Sequence, residues 1–119
     1  MSVSSRFAEF LCEELAPLGQ IRIKRMFGGG GVYCGDVMFG LIADDTLFLK
    51  TDDGNRADFE IEGLGPFVYA SKGGRSTVMS YWRAPERLLD DSDELQVWAG
   101  KALAAALRSG TKAKRRRQS

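Results

Sequence analysis

The chain has 119 residues, 44% of them hydrophobic and 28% charged, which is the balance of one globular domain with a core of its own. It contains no histidine and only two cysteines, so zinc binding and histidine-dependent catalysis lack their usual side chains. The last eleven residues hold five of the 17 basic residues and none of the 16 acidic ones, which leaves residues 1–108 with a formal charge of about −4.

The chain shows no targeting segment. Its first ten residues lack a basic stretch followed by an apolar run, and the longest apolar run, residues 37–43, is far too short to cross a bilayer. We therefore expect a cytoplasmic protein that does not contact a membrane. Cys12 and Cys34 lie beside apolar residues, which favours buried, reduced thiols over a disulfide between them.

The predicted elements begin with an amphipathic helix that Ser4 or Ser5 caps and that Pro17 and Gly19 end. Its apolar residues recur at helical spacing: Phe7, Phe10, Leu11, Leu15 and Leu18. Four short strands follow, at 21–26, 32–34, 37–43 and 46–50. The turns Gly35-Asp36 and Asp44-Asp45 are tight, so these strands are expected to form an antiparallel meander.

The second half of the chain is predicted to alternate helices with one hairpin. Asp52 or Asp53 caps a short helix that ends at Gly63, with Ala57, Phe59 and Ile61 as its buried residues. Strands at 67–70 and 76–82 form a hairpin through residues 72–75. Pro85 suits the first turn of a brief helix over 86–89.

The last helix is predicted to begin at a capping box formed by Asp91 and Glu94 and to end at Gly110. Its buried stripe is expected to contain Leu95, Trp98, Ala99, Ala102, Leu103 and Leu107. The order helix, strands, helix, two strands, helix predicts an α+β fold with an antiparallel sheet and helices on one face. We expect one domain over residues 1–108 and a disordered basic tail over residues 109–119.

Several segments resemble the N-terminal domain of the TfoX/Sxy family, in the same order and at similar spacing over residues 7–107. They are Arg25–Gly29, Gly31–Tyr33, Val37–Ile42, Leu47–Lys50, Asn55-Arg56 with Phe59, Gly63, Pro66-Phe67 and Tyr69, and Met79–Trp82 with Pro85. The resemblance implies a secretion-chaperone-like α+β fold and a capacity to dimerise. For full-length members it also implies regulation of natural competence and transcription. Those members carry a second, helical C-terminal domain, so this chain is expected to be a standalone N-terminal domain.

The run Gly28 to Gly31 admits two interpretations. Glycine-rich loops bind phosphate where their N–H groups converge beside a helix N-terminus, whereas this run lies between two predicted strands with no helix after it. A turn, a bulge or a close approach of another backbone is the favoured interpretation. Phe27, Gly28 and Gly29 remain candidate ligand or partner contacts through the resemblance.

Arg25, Lys50 and Arg56 are the basic residues of the resembling segments. If Arg25 and Lys50 share a sheet face, they can bind an anionic ligand or an acidic partner. The alternative is pairing with nearby carboxylates, those of Asp52, Asp53, Asp58 or Glu60.

Tyr33, Tyr81 and Trp82 are the candidate exposed aromatics. Neighbours in a regular strand point to opposite faces, so either Tyr81 or Trp82 must face away from the main core. That ring marks a dimer interface or ligand groove unless a helix covers it.

The sequence indicates no enzyme and no cofactor, because Ser80 has no basic neighbour along the chain and the paired aspartates sit at turns and helix starts. The leading hypothesis is a regulatory module that acts through protein contacts as a homodimer. The second is a nucleic-acid-associated protein, and the third is an anionic-ligand binder or enzyme. Non-specific DNA or RNA binding is assigned to five side chains of the tail: Lys112, Lys114, Arg115, Arg116 and Arg117.

Overall fold

The structure, a computed structural model, describes the backbone of residues 4–26, 29–70 and 76–118 and the side chains of residues 4–25, 29–68 and 80–110. It confirms the predicted α+β class. Its elements are α1 (Ser5–Glu14), β1 (Ile21–Met26), β2 (Gly29–Cys34), β3 (Val37–Ala43), β4 (Thr46–Lys50), α2 (Arg56–Ile61), β5 (Pro66–Ala70), β6 (Ser76–Arg83) and α3 (Ser92–Gln118), with 3₁₀ helices at Ala16–Leu18 and Glu86–Asp90.

The six strands form one sheet in the order β1-β2-β3-β4-β6-β5, and all neighbours are antiparallel. β1 to β4 form the predicted meander because the connections between them are short. The chain then leaves the sheet through α2 and returns as the β5–β6 hairpin, whose second strand pairs with β4. The loop predicted at residues 72–75 lies outside the described residues.

Both predicted turns of the meander are confirmed. Asp44 and Asp45 form a two-residue connection with φ angles of +51° and +53°. Positive φ at both central positions is the geometry of a type I′ hairpin, and aspartate tolerates that region better than most residues. Gly35 turns the chain between β2 and β3 with a φ of +60°.

The core lies between the helices and one face of the sheet. The Ser4 hydroxyl accepts a hydrogen bond from the Phe7 N–H at 3.2 Å, so the predicted cap of α1 is confirmed. Leu11 of α1 and Leu15, which follows the helix directly, are fully buried, and α3 contributes Leu95, Ala99 and Ala102 to the same core. Both cysteines, Cys12 and Cys34, are free thiols, partly rather than fully buried.

The start of α2 differs from the prediction. Asn55, not Asp52 or Asp53, holds the N-cap position. Its buried side chain accepts a hydrogen bond from the Asp52 N–H at 2.9 Å and donates one to the Lys50 carbonyl at 3.0 Å. These bonds fix the path from β4 to α2, which explains why an asparagine stands in this part of the resembling segment.

Two of the three residues predicted to be buried on α2 are exposed. Phe59 is buried, but Ala57 is exposed and Ile61 is 83% exposed. A helix of six residues makes fewer than two turns, so only one of its residues points at the core. Gly63 ends this segment with a φ of +72°, as predicted.

The predicted start of α3 is confirmed, but only half of the capping box forms, because the Asp91 N–H donates to the Leu88 carbonyl instead of to Glu94. The Glu94 N–H donates to the Asp91 carboxylate at 3.1 Å. The predicted end of the helix is wrong. The helix continues through Gly110 to Gln118, since a single glycine weakens a helix without stopping it. Leu107, predicted to be buried, is 51% exposed, although its neighbour Ala106 is buried. Among the described helices, this one included, none is long and apolar enough to cross a membrane.

Candidate interaction surface

Strand alternation gives the sheet two unlike faces. Leu47 and Leu49 of β4 and Trp82 of β6 point toward the core and the helices, on what we call the covered face. The opposite side is the open face, on which none of the described helices packs. Its side chains are Arg22, Lys24, Tyr33, Met38, Leu41, Phe48, Lys50, Phe67, Tyr81 and Arg83.

A bulge in β3 determines which residues of this strand reach the open face. Val32 lies opposite Gly40, but Tyr33 lies opposite Met38, so Phe39 is an extra residue. Phe39 is fully buried in the core. Met38 therefore accompanies Tyr33 on the open face.

Aromatic rings form the centre of the open face. Phe48 and Phe67 meet edge to face with their ring centres 5.0 Å apart. The Arg22 guanidinium lies 5.7 Å from the centre of the Tyr33 ring. These contacts hold the rings in fixed positions and keep a cation beside them.

Lys50 is the cation nearest the centre of the open face. Its Nζ donates to the Ser80 hydroxyl at 2.5 Å and lies 5.3 Å from the centre of the Tyr81 ring. Burial lowers the pKa of Lys50, and the nearby charge of Asp52 opposes this shift. No spacing along the chain predicts the Ser80–Lys50 contact, because it depends on the pairing of β4 with β6.

Tyr81 extends across the open face. Its hydroxyl donates to the Met38 carbonyl at 3.4 Å, two strands away. Burial, with a smaller contribution from Tyr33, raises the pKa of Tyr81 to about 12. At neutral pH the hydroxyl is therefore a neutral hydrogen-bond donor, suited to binding rather than to proton abstraction.

The structure brings three predicted site residues together, since Tyr33, Lys50 and Tyr81 share the open face. Trp82 lies on the covered face, where its ring packs edge to face against Phe59 at 6.3 Å. The expectation that Tyr81 and Trp82 point to opposite faces is confirmed.

Arg25 and Lys50 do not form one site. Arg25 is two residues from Ile23, which packs on the core, so both point to the covered face, whereas Lys50 lies on the open face. In addition, β1 lies three strand spacings, or ~14 Å, from β4. Arg56 pairs with Asp53 at 2.8 Å, as the alternative interpretation predicts. Five predicted nucleic-acid contacts have side chains outside the described part: Lys112, Lys114, Arg115, Arg116 and Arg117.

The glycine run lies inside the sheet. A Cβ on Gly29 would meet the Ile42 carbonyl oxygen at 2.2 Å, so this position requires glycine because β3 passes close by. Residues 30 and 31 pair with both β1 and β3, and their amide groups do not converge as a phosphate loop requires. Phe27 and Gly28 lie outside the described residues.

Sequence reasoning missed most of the open face. The residues it did not single out are Arg22, Lys24, Met38, Leu41, Phe48, Phe67 and Arg83. Alternation with buried Leu47 and Leu49 could have identified Phe48 as an apolar residue on the outer side. The cations could not be grouped without the strand order.

These features define an α+β domain whose sheet is covered by helices on one side and presents aromatic and basic side chains on the other. The chain belongs to the TfoX N-terminal domain family, whose sequence profile matches residues 13–106. It is 28% identical over 96 residues to Protein Sxy of Escherichia coli (strain K12), which covers 81% of this chain and 46% of that protein. It is also 29% identical over 65 residues to an uncharacterized 12.7 kDa protein in the trpE 5′ region of Spirochaeta aurantia, covering 55% of this chain and 56% of that protein. The aligned segments thus span about half the length of each relative.

Proposed function

We propose that this chain is a non-catalytic regulatory module that binds another protein through the open face of its sheet. The observation that carries the proposal is the open face itself, where partly buried apolar side chains such as Leu41 and Phe48 lie between cations. Tyrosine, phenylalanine, methionine and arginine are the residue types enriched at protein interfaces. Family membership and the similarity to Protein Sxy support a role in regulating competence or transcription.

A second candidate function is non-specific binding to nucleic acid through the basic tail. It is favoured by the concentration of five cations in residues 109–119, at the end of α3. Such binding uses phosphate contacts only and is independent of the open face.

The first proposal can be tested by gene deletion followed by complementation. RNA sequencing of the deletion strain should show a set of altered transcripts that the wild-type gene restores. Leu41→Glu, which places a charge at the centre of the open face, should fail to restore them. Val97→Glu is the matched control because Val97 is 56% exposed on α3. Full restoration by Leu41→Glu would contradict the assignment of the open face.

A further inference from the structure

The open face is the basic side of an otherwise acidic domain. It carries Arg22, Lys24, Lys50 and Arg83, whereas residues 1–108 have a formal charge of about −4. Among the described residues, Asp36 lies 3.9 Å from Arg22 with both side chains well exposed, and the charge of Asp52 acts on Lys50. This separation of charge favours an acidic partner.

The rings of the open face are better suited to side chains than to nucleobases. A stacking platform needs a free ring face. Tyr33 and Tyr81 each have a cation over the ring, and Phe48 and Phe67 pack against each other. Base stacking would have to displace these contacts, whereas apolar side chains can pack between the rings as they stand.

A second copy of this chain is a poor occupant of the open face. Two copies placed face to face would bring eight cations together against four nearby carboxylates, those of Asp36 and Asp52 in each copy. Like charges in excess across an interface are strongly unfavourable. The homodimer predicted from the resemblance would therefore need another surface.

We propose that the open face binds an acidic amphipathic helix of another protein, a deepening that rests on the function proposed above. The apolar side of the helix would lie on Leu41 and Phe48, and its carboxylates would meet Arg22 and Lys24 on one flank and Lys50 and Arg83 on the other. β1 lies three strand spacings from β4 and four from β6, ~14 to ~19 Å, which exceeds the ~10–12 Å diameter of an α-helix. One helix thus fits between the two groups of cations.

The test is a selection of peptides about 16 residues long from a random display library on the intact, immobilised chain, a length that spans ~24 Å as a helix. Sequences that bind the wild type should have a net negative charge and apolar residues at helical spacing. Synthetic copies should bind at least about tenfold more weakly to Leu41→Glu and to Arg83→Glu. The binding of these peptides to the wild type should also weaken with added salt. Val97→Glu should bind them as tightly as the wild type does.

Arg83→Glu keeps the test decisive if Leu41→Glu does not fold, because Arg83 is exposed. Enrichment of neutral or basic peptides, or equal binding by Arg83→Glu, would overturn the proposal. So would binding of an oligothymidylate that Arg83→Glu abolishes, or a dimer in sedimentation that the same variant dissociates. If Leu41→Glu fails to restore transcripts but the selected peptides are not acidic, the proposed function stands and only the acidic-helix inference fails.

Discussion

At the scale of single residues, Gly29 matters because its lack of a side chain lets β3 pass close to β2. Gly29→Ala is expected to lower the free energy of unfolding by at least about 2 kcal/mol, since the new methyl group would meet the Ile42 carbonyl at 2.2 Å and β2 and β3 would have to separate. Urea denaturation of the purified chain measures this change. Gly65→Ala is the matched control, because nothing lies within 4 Å of its Cβ position. Equal stability of Gly29→Ala and the wild type would disprove the close approach.

The burial of Tyr81 on the open face can be tested by titrating its hydroxyl. Its pKa is raised to about 12 in the folded chain, against 10.0 for an ordinary tyrosine, so the fold favours its protonated form. The resulting stabilisation is fully present below pH 10 and is lost as the pH rises through about 12. At about pH 11, tyrosinate absorbance near 295 nm should be lower for the folded chain than for the chain in guanidinium chloride.

Tyr81→Phe is the control for that titration. It should remove the part of the absorbance difference that belongs to Tyr81, while retaining the ring beside Lys50. An unchanged difference would show that another tyrosine is responsible.

At the scale of elements, the length of α3 can be tested at Gly110. Because the helix continues through this residue, Gly110→Ala should strengthen the helical circular dichroism signal at about 222 nm, through a helix propensity gain of about 1 kcal/mol. Gly110→Pro should weaken the signal, since proline removes a helical hydrogen bond. If neither substitution changes the signal, the helix ends before residue 110, as the sequence alone suggests.

Individual elements could be predicted because their signals are local. Ser4, Gly35 and the Asp44-Asp45 turn each act on neighbouring residues, and the structure confirms all three. The predictions failed at Ile61, the last residue of α2, and at Leu107, which lies well inside α3. Helical periodicity continues along a helix whether or not the sheet provides a surface to pack on.

The open face could be predicted only in part, because it depends on pairing between distant strands. Alternation places Tyr81 and Trp82 on opposite sides, but no local signal shows that β6 lies beside β4 or that Lys50 reaches Ser80. Likewise, the bulge that buries Phe39 is known only once β2 and β3 are in register.

At the scale of the whole molecule, charge is divided among three regions. The acidic residues lie mainly in and around the helices, the open face is basic, and residues 109–119 carry five further cations. An open face and a tail of the same sign repel each other, so the tail is not expected to cover the open face. The two basic regions can then bind different acidic partners at the same time.

This division predicts that the tail alone determines binding to duplex DNA. Replacing its five lysines and arginines by glutamine changes the formal charge from +1 to about −4 and should abolish the binding. Fluorescence anisotropy of a labelled duplex should show wild-type affinity falling with salt, with a log–log slope of up to about −4.5 if all five cations contact phosphates. Arg83→Glu, which changes only the open face, should keep most of the affinity. If the glutamine variant binds the duplex as tightly as the wild type, the DNA contacts lie on the domain and not on the tail. If only Arg83→Glu loses binding, the open face is the nucleic-acid surface.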